Sequence, residues 1–386
     1  MTSMTLFYEL IQVALGNRSV LSRTPSETEW HDLYKMCQKQ SVAGIAFEAL
    51  ESLNEQRQKP PLDLLYQWIG DAEQIKQQNL TVNRRCVEIS RMFTEAGFKT
   101  CILKGQGNAR MYANPLARTS GDIDIWLMVL GQAKRQSRAQ GEGFTVEEIR
   151  QRIDEFVHSR FPEIKGGRMH IEFPVFDDVA VEVHYIPRYM YAPWHDRRLQ
   201  TFFREKAEEQ FCNQVTLEGV EGTCAVPTVE FNLVQQLSHM MSHVMGEGIG
   251  LRQFIDYYYV LKTYGGGIAN ARNFTKSNSK SDKLADFKEL FCEMGLLKFA
   301  QGVMWIEKEL LGLEDKYLIV EPAERIGRAI QQTIEEGGNF GHHSSLNTLR
   351  HQSLIGRAFG GTKQSLRAMR YFPTEATWKV IRKIIF

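Results

Sequence analysis

The run "GDIDIWLMV", Gly121 to Val129, constrains this chain more than any other stretch. In a strand successive side chains point to opposite faces, so Asp122 and Asp124 share one face while Ile123, Ile125 and Leu127 share the other. At roughly 3.3 Å per residue the two aspartates lie about 6–7 Å apart along the backbone, close enough to converge on one divalent cation or a metal pair. Like charges at that spacing repel unless something neutralises them, and Mg2+ takes hard oxygen ligands of this kind. A bare D-x-D also fits an edge strand whose polar face is simply wet.

The neighbouring texture places this strand in a mixed unit. Before it, "FKTCILKG" is an apolar run entering Lys104-Gly105, followed by a short helical segment. Such a strand, small-residue turn and helix start can present backbone N–H groups to phosphate, and Gly105 permits close approach. After it come the helical "TVEEIRQRIDEFVHSR" and two further strand-like runs, "RMHIEFPVF" and "VAVEVHYIP", with "FPVFDD" as the turn between them. In the last run Ala180, Glu182 and His184 share one face and Val179, Val181 and Val183 the other. Pairing of that strand with the D-x-D strand would make Glu182 a third carboxylate. Glu172, beside His170 in "MHIEF", competes for the same place.

Helical periodicity dominates both flanks. "SETEWHDLYKMCQKQSVAGIAFEALESL" repeats apolar positions at helical spacing after a Ser26 cap candidate, and "VEFNLVQQLSHMMSHVM" and "LRQFIDYYYVLKTY" do the same beyond residue 200. The Gly-, Asn- and Ser-rich "GGGIANARNFTKSNSKSDK" reads as an exposed connection that breaks the helical pattern. The expected organisation is a helical region over 1–90, an α/β core over 91–200 and a helical domain with a basic tail over 201–386.

At these residues the chain resembles the DNA polymerase beta-like nucleotidyltransferase superfamily, and within it the bacterial group called uncharacterised nucleotidyltransferases. The shared features are "ILKG", a helix reaching "MY", the block "R..GDIDIWL" and the strand "VEVHY", with the likeness running from about Glu29 to about Lys262. The resemblance implies an α+β fold, a small mixed sheet flanked by helical regions. It also implies Mg2+, as a two-ion site, held by the catalytic acids Asp122, Asp124 and Glu182, and transfer of a nucleoside monophosphate from an NTP to an unidentified acceptor: a small molecule, sugar, protein or RNA. One departure is that Gly105 is followed by Gln106 and lies 17 residues before Asp122, where the superfamily has Gly-Gly or Gly-Ser about a dozen residues before the first acid. Lys104, Arg110 and Arg118 are cations that can compensate, Arg118 being the best placed. His184 can bind phosphate, relay a proton or fill space.

In the helical half, His239 and His243 stand four apart on one face, the spacing of a zinc H-x-x-x-H pair, but "MMS" between them lacks the metalloprotease glutamate. The resemblance suggests instead that this helix and "GIGLRQFIDYY" close over the nucleotide, with Arg252 in reach of it. Arg252 and Asp256 are also spaced to pair along that helix.

Charge excludes a global field for nucleic acid or anionic membrane, since 47 Lys and Arg balance 46 Asp and Glu. Locally, residues 350–386 carry eight basic side chains against Glu375 alone, with Trp378, Ile381 and Ile385 striping the last helix beside Lys379, Arg382 and Lys383. That tail can meet RNA, an anionic membrane or an acidic partner, or dock on its own domain. Six scattered cysteines without a C-x-x-C pair point away from a zinc cage or disulfide framework and toward a reducing cytoplasm. No apolar run approaches a membrane span, and the N-terminus lacks the basic start of a signal peptide. A non-catalytic nucleotide-binding or regulatory protein on the same fold, and a phosphohydrolase using water as acceptor, are the alternative readings.

Overall fold

In the computed structural model, residues 3–129, 145–246, 248–270, 280–337 and 367–385 are described. Four helices come first: α1 (Ser3–Ala14), α2 (Glu27–Lys39), α3 (Ala43–Glu55) and the long α4 (Leu62–Glu95). Helix α2 starts where its sequence dictates. Ser26 accepts from the Glu29 N–H while Glu29 reaches back to the Ser26 N–H, a reciprocal capping box.

The chain then builds a four-stranded sheet from β1 (Phe98–Ile102), β2 (Ile123–Val129), β3 (His170–Glu172) and β4 (Val181–His184), interrupted by the single-turn α5 (Gln106–Ala109) and by α6 (Val146–His158). The spatial order is β1-β2-β4-β3, with β2 and β4 parallel and both outer pairs antiparallel. A parallel pair needs a long crossover, and α6 lies in it, its start fixed by a Thr145–Glu148 capping box. The fold is α+β, a small mixed sheet with helical flanks.

Period-2 alternation decides what each sheet face buries. Ile123, Ile125 and Leu127 of β2 and Val181 and Val183 of β4 form one apolar cluster with Ile89 and Phe93 of α4 and Ile153 and Val157 of α6. Trp126, from the opposite face, packs against Phe211 and Phe231. Those rings belong to α7 (Pro193–Cys212) and α8 (Val229–Met245), separated by the small hairpin β5 (Gln214–Val215) and β6 (Cys224–Ala225). The second face is therefore roofed by helices, leaving the acidic end of β2 beneath α8.

The remaining helices are α9 (Leu251–Asn270), α10 (Lys280–Glu293), α11 (Leu297–Trp305) with a π-helical turn Ile306–Leu310, α12 (Glu324–Gly337) and α13 (Pro373–Ile385). One apolar cluster joins α1–α3 to these C-terminal helices. Polar contacts lock the same junction: Gln40 of α2 donates to Ile334 O of α12 (2.8 Å) and accepts from the Leu251 N–H of α9 (2.8 Å).

One expectation needs correction. The glycines at 265–267 do not end the helix; α9 continues through them to Asn270. A Cβ on Gly265 would stand 2.5 Å from Tyr317 Cδ1, so close packing, not a loop, explains a small residue there. Residues 271–279 of that segment lie outside the described residues. The described part of the basic tail docks on its own molecule. Glu375 is buried, accepting from the Tyr191 and Ala192 N–H groups and from His195; Lys379 donates to Met245 O (2.6 Å), Arg382 lies 3.7 Å from Asp196, and Trp378 meets Trp194 edge-on. Arg350, Arg357 and Lys363 lie outside the described residues, as does the side chain of Lys383. No described helix is long and apolar enough to cross a membrane, and all six cysteines are free.

Candidate active site

The parallel pairing of β2 with β4 sets Asp124 directly opposite Glu182 and Trp126 opposite His184. Residues opposite each other in register share a face, so Glu182 and His184 join the aspartate side of the sheet. One carboxylate oxygen from each of Asp122, Asp124 and Glu182 lies within 4.8 Å of the other two. Glu172 stands opposite Glu182 across β3–β4, yet it is exposed and enters no such group among the described residues.

Asp124 is the buried member, 2 % exposed, and carries its own neutralisation. Lys104 Nζ lies 2.9 Å from its Oδ2, and the His184 Nε2–H donates to its Oδ1 at 2.8 Å. Burial acts to raise its pKa, but Lys104 and His184 outweigh that and hold the carboxyl below its ordinary range. Asp122, partly exposed, moves the other way: the Asp124 charge, then burial, raise its pKa against the pull of Lys104. Glu182 feels burial first, yet His184 at 3.5 Å leaves it lowered on balance. The raised Asp122 is the mark of like charges crowded together, and a divalent cation between them would relieve it.

Lys104 owes its place to the end of β1 and to Gly105, whose φ of 63° turns the chain back under the sheet. Its Nζ also lies 3.0 Å from His239 Nε2, which lies 3.3 Å from His243 Nε2. Burial and the Lys104 charge push His239 far below the usual histidine range, and burial and Arg188 push His243 down to about 3. The H-x-x-x-H pair thus turns neutral imidazoles toward the ammonium. Gly105, expected at the phosphate cradle, is the N-cap residue of α5. Helix α5 is one buried turn, too short for a useful dipole, and its Gln106 is committed to Asn79 and Asn83 of α4.

The three arginines take different positions. Asp256 acts through its charge on Arg252 one turn away. It is gripped by Arg118 through two parallel bonds (Nε–Oδ1 2.7 Å, Nη2–Oδ2 2.8 Å) and by the Tyr112 hydroxyl at 2.6 Å. Both bonds of that fork are charge-assisted, which makes Arg118 the strong partner across the fold. Arg252 donates to Thr119 O at 2.8 Å, beside Gly121 on the approach to Asp122, and burial lowers its pKa to about 10. Arg110 is exposed.

These elements enclose a cleft of about 500 Å3, part of it open to solvent, lined by Lys104, Gly105, Asp122, Asp124, His239 and Arg252. Sequence reading missed the carboxamides that also line it, Gln235 and Gln236 of α8 and Gln253 of α9. Their signal was present: α8 is buried on most of its circumference, so each glutamine inside "VQQLSHMMSH" must face something polar. Arg188, buried after β4 and donating to Ser242, was missed without any such signal.

A family model described as uncharacterised nucleotidyltransferase matches residues 26–312, which include the sheet, the acid face and α8 and α9. No curated protein and no solved structure matches the chain. The chain belongs to the uncharacterised nucleotidyltransferase family.

Proposed function

We propose that this member of the nucleotidyltransferase family moves a nucleoside monophosphate from an NTP to an acceptor hydroxyl, with Asp122, Asp124 and Glu182 as its Mg2+ ligands. The observation that carries the reading is the convergence of those three carboxylates, two of which, Asp122 and Asp124, line the cleft with Lys104 and Arg252. The fit to Mg2+ is chemical: three hard oxygen donors, one with its pKa raised by its neighbour's charge, suit a hard dication. Bound there, Mg2+ would supply charge neutralisation to the triphosphate and its leaving pyrophosphate.

The protein groups have separable tasks. Lys104, at the cleft wall, holds Asp124 ionised and offers positive charge toward phosphate oxygens. Arg252 is the second cation lining the cleft near Asp122. Arg118, with its guanidinium spent on Asp256, acts as a positioning residue for the loop that leads into the acids. His184 orients Asp124 and Glu182, and Glu182 is the candidate proton acceptor from the attacking hydroxyl by its place at the open edge of the trio.

Calorimetric titration with each of the four NTPs, in Mg2+ and in EDTA, tests the proposal. Mg2+-dependent binding of an NTP that is lost in Glu182→Ala is the expected result; equal binding in EDTA or in the variant would sink it. A second reading, a non-catalytic nucleotide-binding protein, draws on Lys104 and His184, which satisfy Asp124 without any metal. Radiolabelled product from an α-labelled NTP separates the two, because only the transferase forms it.

A further inference from the structure

Outside the acid trio, a second convergence of donors stands on the same sheet. His170 of β3, and Glu182 and His184 of β4, offer one ligand atom each within 4.8 Å of one another. His170 and His184 are direct register partners, which places both imidazoles on the Glu182 face with ring centroids 5.2 Å apart.

His184 Nε2 donates to Asp124 at 2.8 Å, but the separations of both imidazoles from Glu182 are longer than ordinary hydrogen bonds. His170 Nδ1 lies 3.3 Å and His184 Nε2 lies 3.5 Å from the same oxygen, Glu182 Oε2. Hydrogen bonds of this type peak near 2.9–3.0 Å, and the buried His170 Nδ1 makes none with good geometry. Around a tetrahedral ion with bonds of about 2.0–2.2 Å, by contrast, donor atoms sit about 3.3–3.6 Å apart. Both nitrogen-to-oxygen separations fall in that range.

We infer that His170, Glu182 and His184 form a second divalent-metal site, one that takes a borderline transition ion such as Zn2+ or Co2+. Two imidazoles and one carboxylate are the donors such ions prefer, whereas Mg2+ prefers oxygen and water. Glu182 is common to both groups, so it bridges this site to the acid trio. On binding, His184 Nε2 gives up the N–H it donates to Asp124 and ligates as the neutral Nδ1–H imidazole, a proton leaving to solvent from the fraction that starts as imidazolium, while Asp124 keeps Lys104 as its counter-charge. The inference goes beyond the transfer reaction and needs no nucleotide.

Co2+ is the probe of choice, since its visible absorption reports coordination number and nitrogen ligation. Chelator-stripped full-length protein is titrated with Co2+ alone, and separately with Mg2+ plus the NTP that binds best. One equivalent of Co2+ is expected to develop an intense tetrahedral spectrum. His170→Ala should weaken Co2+ binding at least about tenfold and leave Mg2+–NTP binding in place. Asp122→Asn should do the reverse. His170→Gln, which keeps a polar side chain at this partly exposed position, should also lose the spectrum. Unchanged Co2+ affinity in both His170 variants, or equal weakening by Asp122→Asn, would overturn the site. Failure of NTP binding with the Co2+ result intact would instead count against the transferase reading alone.

Discussion

Two carboxyl groups in this molecule are equally buried and behave in opposite ways. Asp124, on the acid face of β2, is held below its ordinary pKa because Lys104 and His184 converge on it. Glu307, in the π-helical turn after α11, is 0 % exposed, has no hydrogen-bond partner on either oxygen among the described residues, and is pushed far up by burial alone. Burial therefore does not decide whether an acid in this fold is charged; its partners do. The charged one faces the cleft. The neutral one marks a turn where the α-helical ladder is already broken.

The largest effect should come from removing the partner that makes Asp124 different. Lys104→Met leaves a buried carboxylate beside two others with only His184 to offset it, and is expected to cost about 3 kcal/mol at pH 7, the low end for a broken buried pair because Lys104 keeps part of its solvent contact. Asp124 has its folded pKa depressed below 3.8, so its pairing stabilises the fold above that pH and is lost below it. Denaturant unfolding should accordingly show a deficit that is flat through neutral pH and closes only on the acid side. Glu307→Met should go the other way, raising stability by about 3 kcal/mol at pH 7, the linkage value for an acid kept neutral in the fold, by replacing an unpartnered polar group with an apolar one of similar volume. The sign differs because this pKa is raised. Below 4.5 both states are protonated and Glu307 costs only its desolvation, while above 4.5 the unfolded chain gains by ionising. The gain should shrink as pH is lowered to 4; a pH-independent gain would mean that Glu307 is ionised in the folded protein.

The contrast also explains what the sequence could and could not disclose. Strand periodicity was enough to place Asp122 and Asp124 together and to offer Glu182, because a period of two leaves no freedom in which face a residue takes. The choice of Glu182 over Glu172 needed the β2–β4 pairing, a contact that spans the α6 crossover and has no local signature. The main partner of Asp256 was hidden for the same reason. The helical neighbour Arg252 was visible at i−4, whereas Arg118 is 138 residues away. Gly265 reads as part of a break because its packing partner Tyr317 lies far along the chain. Glu307 raised no signal at all, since an acid in "IEKELLG" reads as solvated until the three-dimensional packing encloses it.

A finer form of the comparison lies in the histidines around Lys104. His239 and His243 are held neutral, with pKa values below their unfolded 6.5, so the unfolded chain takes up protons that they do not, and stability falls as pH drops below about 6.5. His184 opposes them: Asp124 and Glu182 outweigh its burial and raise its pKa, so its contribution is present below 6.5 and fades as pH rises through the folded value. A wild-type profile mixes these slopes, and only a difference between variants isolates one. His243→Gln keeps a side-chain donor for His239 while deleting one titrating group. Between pH 7 and 5.5 it should lose about 1 kcal/mol less stability than the parent chain, the linkage value for one buried neutral histidine. Parallel profiles for the two proteins would instead mean that His243 takes up its proton in the folded state, and that burial and the Arg188 charge do not hold it neutral.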